Sequence, residues 1–306
     1  MKILILGSTG LVGSSLARLL EANERHEVIG ATRKDADLFS FKETSDLVSK
    51  INPDILINAA AKVGGIHANN SQRTDFILEN LKININVLEA CIKFPNIFII
   101  NLGSSCIYPL EAKNPISEES IMTGALEPTN SPYAMAKLTA IELANSLKIQ
   151  YGHKILNLMP TNLYGPGDNF SELDSHVIPG LIFRMHKAKI DNQDNFHIWG
   201  TGKPLREFLH VDDLSKGIEF LINNQPEDSI LNIGSGYEIS ISDLAEKIKK
   251  VIEFKGDLIF DSSMPDGNPR KFLDSSKLFK LGWKPSMNID DGLKDTYKWF
   301  LANSEY

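Results

Sequence analysis

A chain of 306 residues, 42 % hydrophobic and 23 % charged, has the proportions of an ordinary globular protein and is long enough to bury a sizeable core without disulfides. Its net charge of −7, with no long basic run, argues against nucleic acid as a partner, and no apolar run approaches the roughly 20 residues of a membrane span. Cys91 and Cys106 show neither metal-ligand spacing nor a disulfide framework, which fits a reducing, cytoplasmic setting, and the first strand follows Met1 so closely that no signal peptide is expected. In chain order, KILIL at 2–6 reads as a buried strand, 12–21 as a helix, 28–31 as a second strand, 41–51 as a helix and ILINA at 55–59 as a third strand. A long helix over 75–94, a strand at 97–102, a helix over 132–151 with Pro132 in its first turn, and a strand at 155–159 follow. Residues 161–174 read as an irregular functional loop. Helices over 177–188, 213–223, 240–253 and 289–302 and a strand at 229–233 complete the pattern, with Ser240 or Ser242 as a cap.

Buried apolar strands alternating with helices predict an α/β fold with a Rossmann-type doubly wound parallel sheet. We expect residues 1–165 to form a dinucleotide-binding domain, rejoined by segments near 204–235. Residues 166–306 should mainly form a smaller, interleaved α/β lobe that binds substrate.

The run Gly7-Ser8-Thr9-Gly10-Leu11-Val12-Gly13 joins the first strand to the first helix. Glycines there permit a tight turn and a close backbone approach to a pyrophosphate, which the helix N-terminus attracts. The second strand ends in Ala31-Thr32-Arg33-Lys34, with no acid for a ribose 2′-hydroxyl. Arg33 is suited to a 2′-phosphate, so NADP(H) is the expected cofactor. The alternative is that Arg33 and Lys34 belong to a solvated loop.

Tyr133 and Lys137 stand four apart on a helix and so share a face. A lysine ammonium beside a phenol is expected to lower the tyrosine pKa and make it a usable acid toward a carbonyl oxygen. Ser104, just beyond the fourth strand, is placed to bind the same oxygen. Cys106 lies two residues on and would face the same way if the strand continued; otherwise it is a small buried residue. His176 is its candidate counterpart, or a capping or core histidine. A base and an acid on opposite faces of a 4-keto sugar would invert C3 and C5 through an enolate.

Six segments then narrow the reading: 59–66 (AAAKVGGI), 103–109 (GSSCIYP), 126–130 (LEPTN), 159–166 (MPTNLYGP), 175–179 (SHVIP) and 206–213 (REFLHVDD). With 265–271 (PDGNPRK) and Leu281-Gly282-Trp283, they resemble the GDP-L-fucose synthase family nearly end to end. The resemblance implies NADPH-dependent 3,5-epimerisation and 4-reduction of GDP-4-keto-6-deoxy-D-mannose by a homodimer. It implies Tyr133 as proton donor with Lys137 and Ser104, and Cys106 and His176 as the epimerisation pair. It also implies cofactor contacts from the glycine run, Leu102, Gly103, Ser104, Ser105, Lys137, Pro160, Thr161, Asn162, Leu163 and His176. GDP-sugar contacts would come from Arg184, Trp199, Arg206 and Asp266, with Arg270 as a further diphosphate candidate. The chain departs from some members in having Ser8-Thr9 where they have His and Arg, and in a shorter segment at 223–228. A related GDP-linked 3,6-dideoxy sugar or 6-deoxy-heptose, or a non-catalytic NADP-binding regulator, are the alternatives.

Overall fold

The computed structural model describes residues 1–172, 174–264 and 266–303; Pro265, which opens the 265–271 motif, lies outside them. The elements are β1 (Lys2–Leu6), α1 (Leu11–Glu21), β2 (Glu27–Ala31), α2 (Phe41–Ile51), β3 (Ile55–Asn58), α3 (Ile66–Ser71), α4 (Arg73–Cys91) and β4 (Phe98–Leu102). Next come α5 (Ser131–Tyr151), β5 (Ile155–Pro160), β6 (Asn162–Tyr164), α6 (Val177–Ile190), β7 (Asn195–Trp199), β8 (Leu205–His210) and α7 (Val211–Asn224). The chain ends with β9 (Ile230–Ile233), β10 (Glu238–Ser240), α8 (Ile241–Ile252), β11 (Asp257–Asp261), β12 (Arg270–Lys271), α9 (Ser276–Lys280) and α10 (Ile289–Asn303).

Six strands form one parallel sheet in the order β2-β1-β3-β4-β5-β9. β3, β4 and β5 are buried along their whole length, because helices cover both faces of the sheet. Leu16, Leu20, Leu214, Ile218 and Leu221 of α1 and α7 close one face. Val48 of α2, Val87 and Leu88 of α4, and Ala144 and Leu147 of α5 close the other. The chain passes from β2 over β1 to β3, so the strand order reverses between β1 and β3. That reversal opens a crevice at the carboxyl ends of the strands, where such sheets bind ligands.

The smaller lobe consists of a sheet in the order β10-β8-β12, with β6 also on β8, and a β11-β7 ribbon. Ile178, Ile182 and Met185 of α6, Leu244 and Ile248 of α8, and Leu293 and Phe300 of α10 make its core. Buried Glu207 of β8 fastens this lobe: its carboxylate accepts from the Gly236 N–H (2.8 Å) and the Leu273 N–H (3.2 Å). Interleaving follows from the pairing, since β9 returns to the central sheet while β6 leaves β5 for β8.

The expected strands and long helices are present, with ends that match or differ by at most three residues, and Ser240 caps α8 by accepting from the Asp243 N–H at 3.0 Å. The irregular reading of 161–174 needs correction, because β6 begins at Asn162. α3, β7, β8, β10, β11, β12 and α9 were not among the expected elements.

Candidate active site

The first wall of the crevice is the turn from β1 into α1. The Gly7 and Ser8 N–H groups both donate to Ala31 O, at 3.1 and 3.2 Å, which ties the turn to the end of β2. Gly7 has φ +76°, and a Cβ there would stand 2.8 Å from Ala60 Cα; a Cβ on Gly13 would stand 2.1 Å from Gly7 O. Only glycine fits either place. Gly10 caps α1 and brings no side chain over its first turn. Ser8, Thr9, Leu11 and Val12 complete this bend. The result is a bare helix N-terminus at the mouth of the crevice, the form that accepts a dinucleotide diphosphate.

Arg33 is exposed beyond the end of β2. Asp35, an acid close to this point, is engaged internally: its carboxylate accepts from Thr32 N (2.8 Å) and Thr32 Oγ1 (2.9 Å). Those bonds hold its pKa below the ordinary value.

β4 and β5 bring the next groups to the same edge. Leu102 of β4 pairs with Leu158 of β5, and Gly103 continues beneath Met159, whose side chain leaves no space for a Cβ. Lys137 of α5 is buried and donates to Leu102 O at 2.7 Å. The Tyr133 phenol and Ser104 hydroxyl are hydrogen-bonded, and the Tyr133 ring meets Phe76 edge-on with centroids 6.4 Å apart. Burial pushes the Tyr133 phenol up, helped by nearby Cys106, while the Ser104 bond pulls it down. Burial also pushes Lys137 down to about 8. The expected lowering of the tyrosine pKa by lysine is therefore not what this structure has. The ammonium lies 5.9 Å from the ring centroid and is committed to a backbone carbonyl, so burial dominates. The phenol stays protonated across the neutral range, which is the form an acid requires.

Cys106 reaches the site by a different route from the one expected. β4 ends at Leu102, and Ser105–Ile107 form a 3-10 turn in which Ser104 Oγ accepts from the Cys106 N–H at 3.2 Å. The turn, rather than continued strand alternation, sets the thiol beside Tyr133. Lys271 Nζ lies 3.5 Å from Cys106 Sγ. Lys271 went unremarked in the sequence reading; the only signal was its place in the 265–271 motif beside Arg270.

His176 is the N-cap residue of α6. The loop before it is held by Gly65, whose N–H donates to Asp174 O at 3.0 Å. Neighbouring Gly64 packs against Phe76, which itself touches Tyr133, so one loop spans the tyrosine and histidine segments. Desolvation lowers the His176 pKa from the ordinary 6.5, leaving the imidazole neutral at neutral pH. Pro160 ends β5 and Thr161 follows it at the same edge. Thr161 N–H donates to Ile233 O (3.1 Å), and Asn162 Nδ2 to Glu207 O (2.8 Å), which orders the stretch leading to Leu163.

The expected GDP-sugar residues gather on the smaller lobe. Asp266 accepts from Thr201 N (2.8 Å) and Oγ1 (2.7 Å), two residues past Trp199, which is 66 % exposed. Arg206 senses the Asp266 charge, and Arg184 lays its guanidinium 5.5 Å from the Phe196 ring. Burial lowers the pKa of both arginines, partly offset by Glu172 at Arg184 and by Asp266 at Arg206. Arg270 is differently engaged: its Nε donates to Glu238 Oε1 at 2.7 Å in a forked ion pair, so it is committed to β10.

A bare helix N-terminus at the switch point of a doubly wound sheet, with a Ser–Tyr pair and a buried lysine at the same edge, defines a dinucleotide-dependent enzyme of the short-chain dehydrogenase type. The model of the NAD dependent epimerase/dehydratase family matches residues 3–234. GDP-L-fucose synthase 1 of Arabidopsis thaliana is 46 % identical over 99 % of this chain and 94 % of its own. The GDP-L-fucose synthase of Escherichia coli K12 is 43 % identical over 99 % and 98 %. A GDP-L-fucose synthetase of Naegleria fowleri, solved bound to NADP, superposes with a TM-score of 0.90 at 30 % identity, covering 99 % of this chain and 94 % of the other. The chain belongs to the NAD dependent epimerase/dehydratase family and, within it, to the GDP-L-fucose synthases.

Proposed function

We propose that this chain converts GDP-4-keto-6-deoxy-D-mannose to GDP-L-fucose, inverting C3 and C5 and then reducing C4 with NADPH. The observation that carries the reading is Cys106 standing beside the hydrogen-bonded Ser104–Tyr133 pair. A group able to take a proton from carbon thus adjoins two donors for the adjacent carbonyl oxygen. The Cys106 thiolate removes the proton from C3 or C5; the C–H bond breaks, an S–H bond forms, and the electron pair moves to O4 as an enolate. Ser104 and Tyr133 hold that oxygen. His176 returns a proton to the opposite face. Its neutral imidazole takes that proton from solvent before passing it to carbon, and the Cys106 thiol gives its own to solvent before the second inversion. NADPH, when bound, supplies the hydride to C4. Tyr133 gives its proton to O4, and Lys137, held on Leu102 O beside the Tyr133 ring, would contribute its charge to the cofactor side of the site.

Gly7 to Gly13, Arg33, Leu102 to Ser105 and Pro160 to Leu163 line the cofactor side of the crevice in this reading. Arg184, Trp199, Arg206 and Asp266 hold the GDP-sugar. The cofactor domain comprises the central sheet with its helices, rejoined by α7 and β9, the substrate lobe comprises most of 166–306 together with β6 and β8, and the working form is a cytoplasmic homodimer. Among the described residues no helix is long and apolar enough to cross a membrane.

Steady-state oxidation of NADPH and NADH with GDP-4-keto-6-deoxy-D-mannose tests the reading. NADPH is expected to win by at least about tenfold in kcat/KM, and Arg33→Ala to narrow that preference. Equal use of the two cofactors would remove Arg33 from its role. No substrate-dependent oxidation of either would remove the reductase activity.

A further inference from the structure

We propose that Lys271 is a positioning residue for Cys106, its ammonium holding the sulfur as the thiolate that removes the carbon-bound proton. The identity of that proton rests on the epimerase reading above; the pairing of the two side chains does not.

β12 is two residues long and pairs in parallel with β8, Arg270 opposite Leu205 and Lys271 opposite Arg206. Adjacent strand residues point to opposite faces. Arg270 takes one face and is gripped by Glu238. Lys271 takes the other, where its Nζ donates to Cys106 Sγ at 3.5 Å. The segment cannot easily slip: Phe272 N donates to Asn114 Oδ1 (2.8 Å), Leu273 N to Glu207 Oε2 (3.2 Å), and Phe272 O accepts from Ile116 N (2.7 Å).

Three other groups complete the surroundings. Ser104 is occupied with the Cys106 N–H, and the Tyr133 phenol is close enough to sense charge on the sulfur. Glu127 feels the Lys271 charge, but its oxygens accept from Thr129 N (3.1 Å), Thr129 Oγ1 (2.6 Å) and Asn130 N (2.9 Å). The nearby Glu127 carboxylate is thus spent on the turn before α5. In the step itself the C–H bond breaks, the S–H bond forms, and the electron pair passes to O4.

The test is the rate at which iodoacetamide alkylates Cys106 in the whole protein at pH 7.5, read by peptide mass. Cys91, fully buried, reports loss of fold by becoming reactive. Lys271→Met is expected to slow alkylation about tenfold, and Lys271→Arg to keep it within about threefold of the parent, because the thiolate is the nucleophile. A parental rate in folded Lys271→Met overturns the proposal. If the methionine variant exposes Cys91, Lys271→Gln replaces it under the same criterion. Solvent-deuterium entry at C3 and C5 of the 4-keto sugar should fall about tenfold with Lys271→Met and recover with Lys271→Arg; unchanged entry also overturns the proposal. Lys271-dependent alkylation in a parent protein that exchanges no deuterium would instead refute the epimerase reading and leave the pairing standing.

Discussion

Tyr133 and Lys137 illustrate how burial assigns protonation states. The phenol is driven up and keeps its proton across the neutral range, while the lysine is driven down to about 8. Tyr133→Phe should lower ketone reduction by about 10²–10⁴-fold while leaving NADPH binding, measured by fluorescence titration, nearly unchanged. Near-parental turnover would take the phenol out of the reaction. The ammonium form of Lys137 is present below its pKa and lost above it. The kcat/KM for reduction should therefore fall on the alkaline side with an apparent pKa near 8, and Lys137→Arg should remove that limb, since a guanidinium stays charged. An alkaline limb unchanged in the arginine variant would assign the titration elsewhere.

At the scale of elements, a ladder of buried asparagines crosses the sheet below the site. Asn58 Nδ2 of β3 donates to Asn101 Oδ1 of β4 (3.2 Å), and Asn101 Nδ2 donates to Asn157 Oδ1 of β5 (3.0 Å). Asn101→Ala strips Asn157 Oδ1 of this donor inside the core. It should lower unfolding free energy by about 2 kcal/mol, read as a shift in the urea midpoint at constant slope. No shift would mean the ladder adds nothing to stability. The strands that carry this ladder were legible in the sequence, because burial on both faces leaves continuous apolar runs. β7 and β11 were not: they form a two-stranded ribbon with one face in solvent, so only Phe196 and Ile198 in NFHIW mark the core. The site followed the same division. The glycine turn, Tyr133 and Lys137 announce themselves by local spacing. Cys106 was found for a geometrical reason that failed, since a 3-10 turn rather than strand alternation aims it. Lys271 went unremarked beside Arg270, which was read as a diphosphate candidate, because nothing local tells which of two adjacent basic residues faces the thiol.

Across the whole molecule, the two lobes share one continuous chain of support. β6 carries residues 162–164 from the end of β5 onto β8, and Glu207 of β8 ties that strand to the loops after β9 and β12. The cofactor edge, the Tyr133 cluster and the GDP-sugar residues are thereby fixed to a common frame, as a reaction combining two inversions at carbon with one reduction demands. The measurement that bears most directly on this account is the product of GDP-4-keto-6-deoxy-D-mannose and NADPH formed in D2O, with deuterium counted at each carbon by NMR. The account predicts GDP-L-fucose with solvent deuterium at C3 and C5 and no solvent deuterium at C4. A 4-reduced sugar retaining the original configuration at C3 and C5, with no deuterium at either, would contradict it.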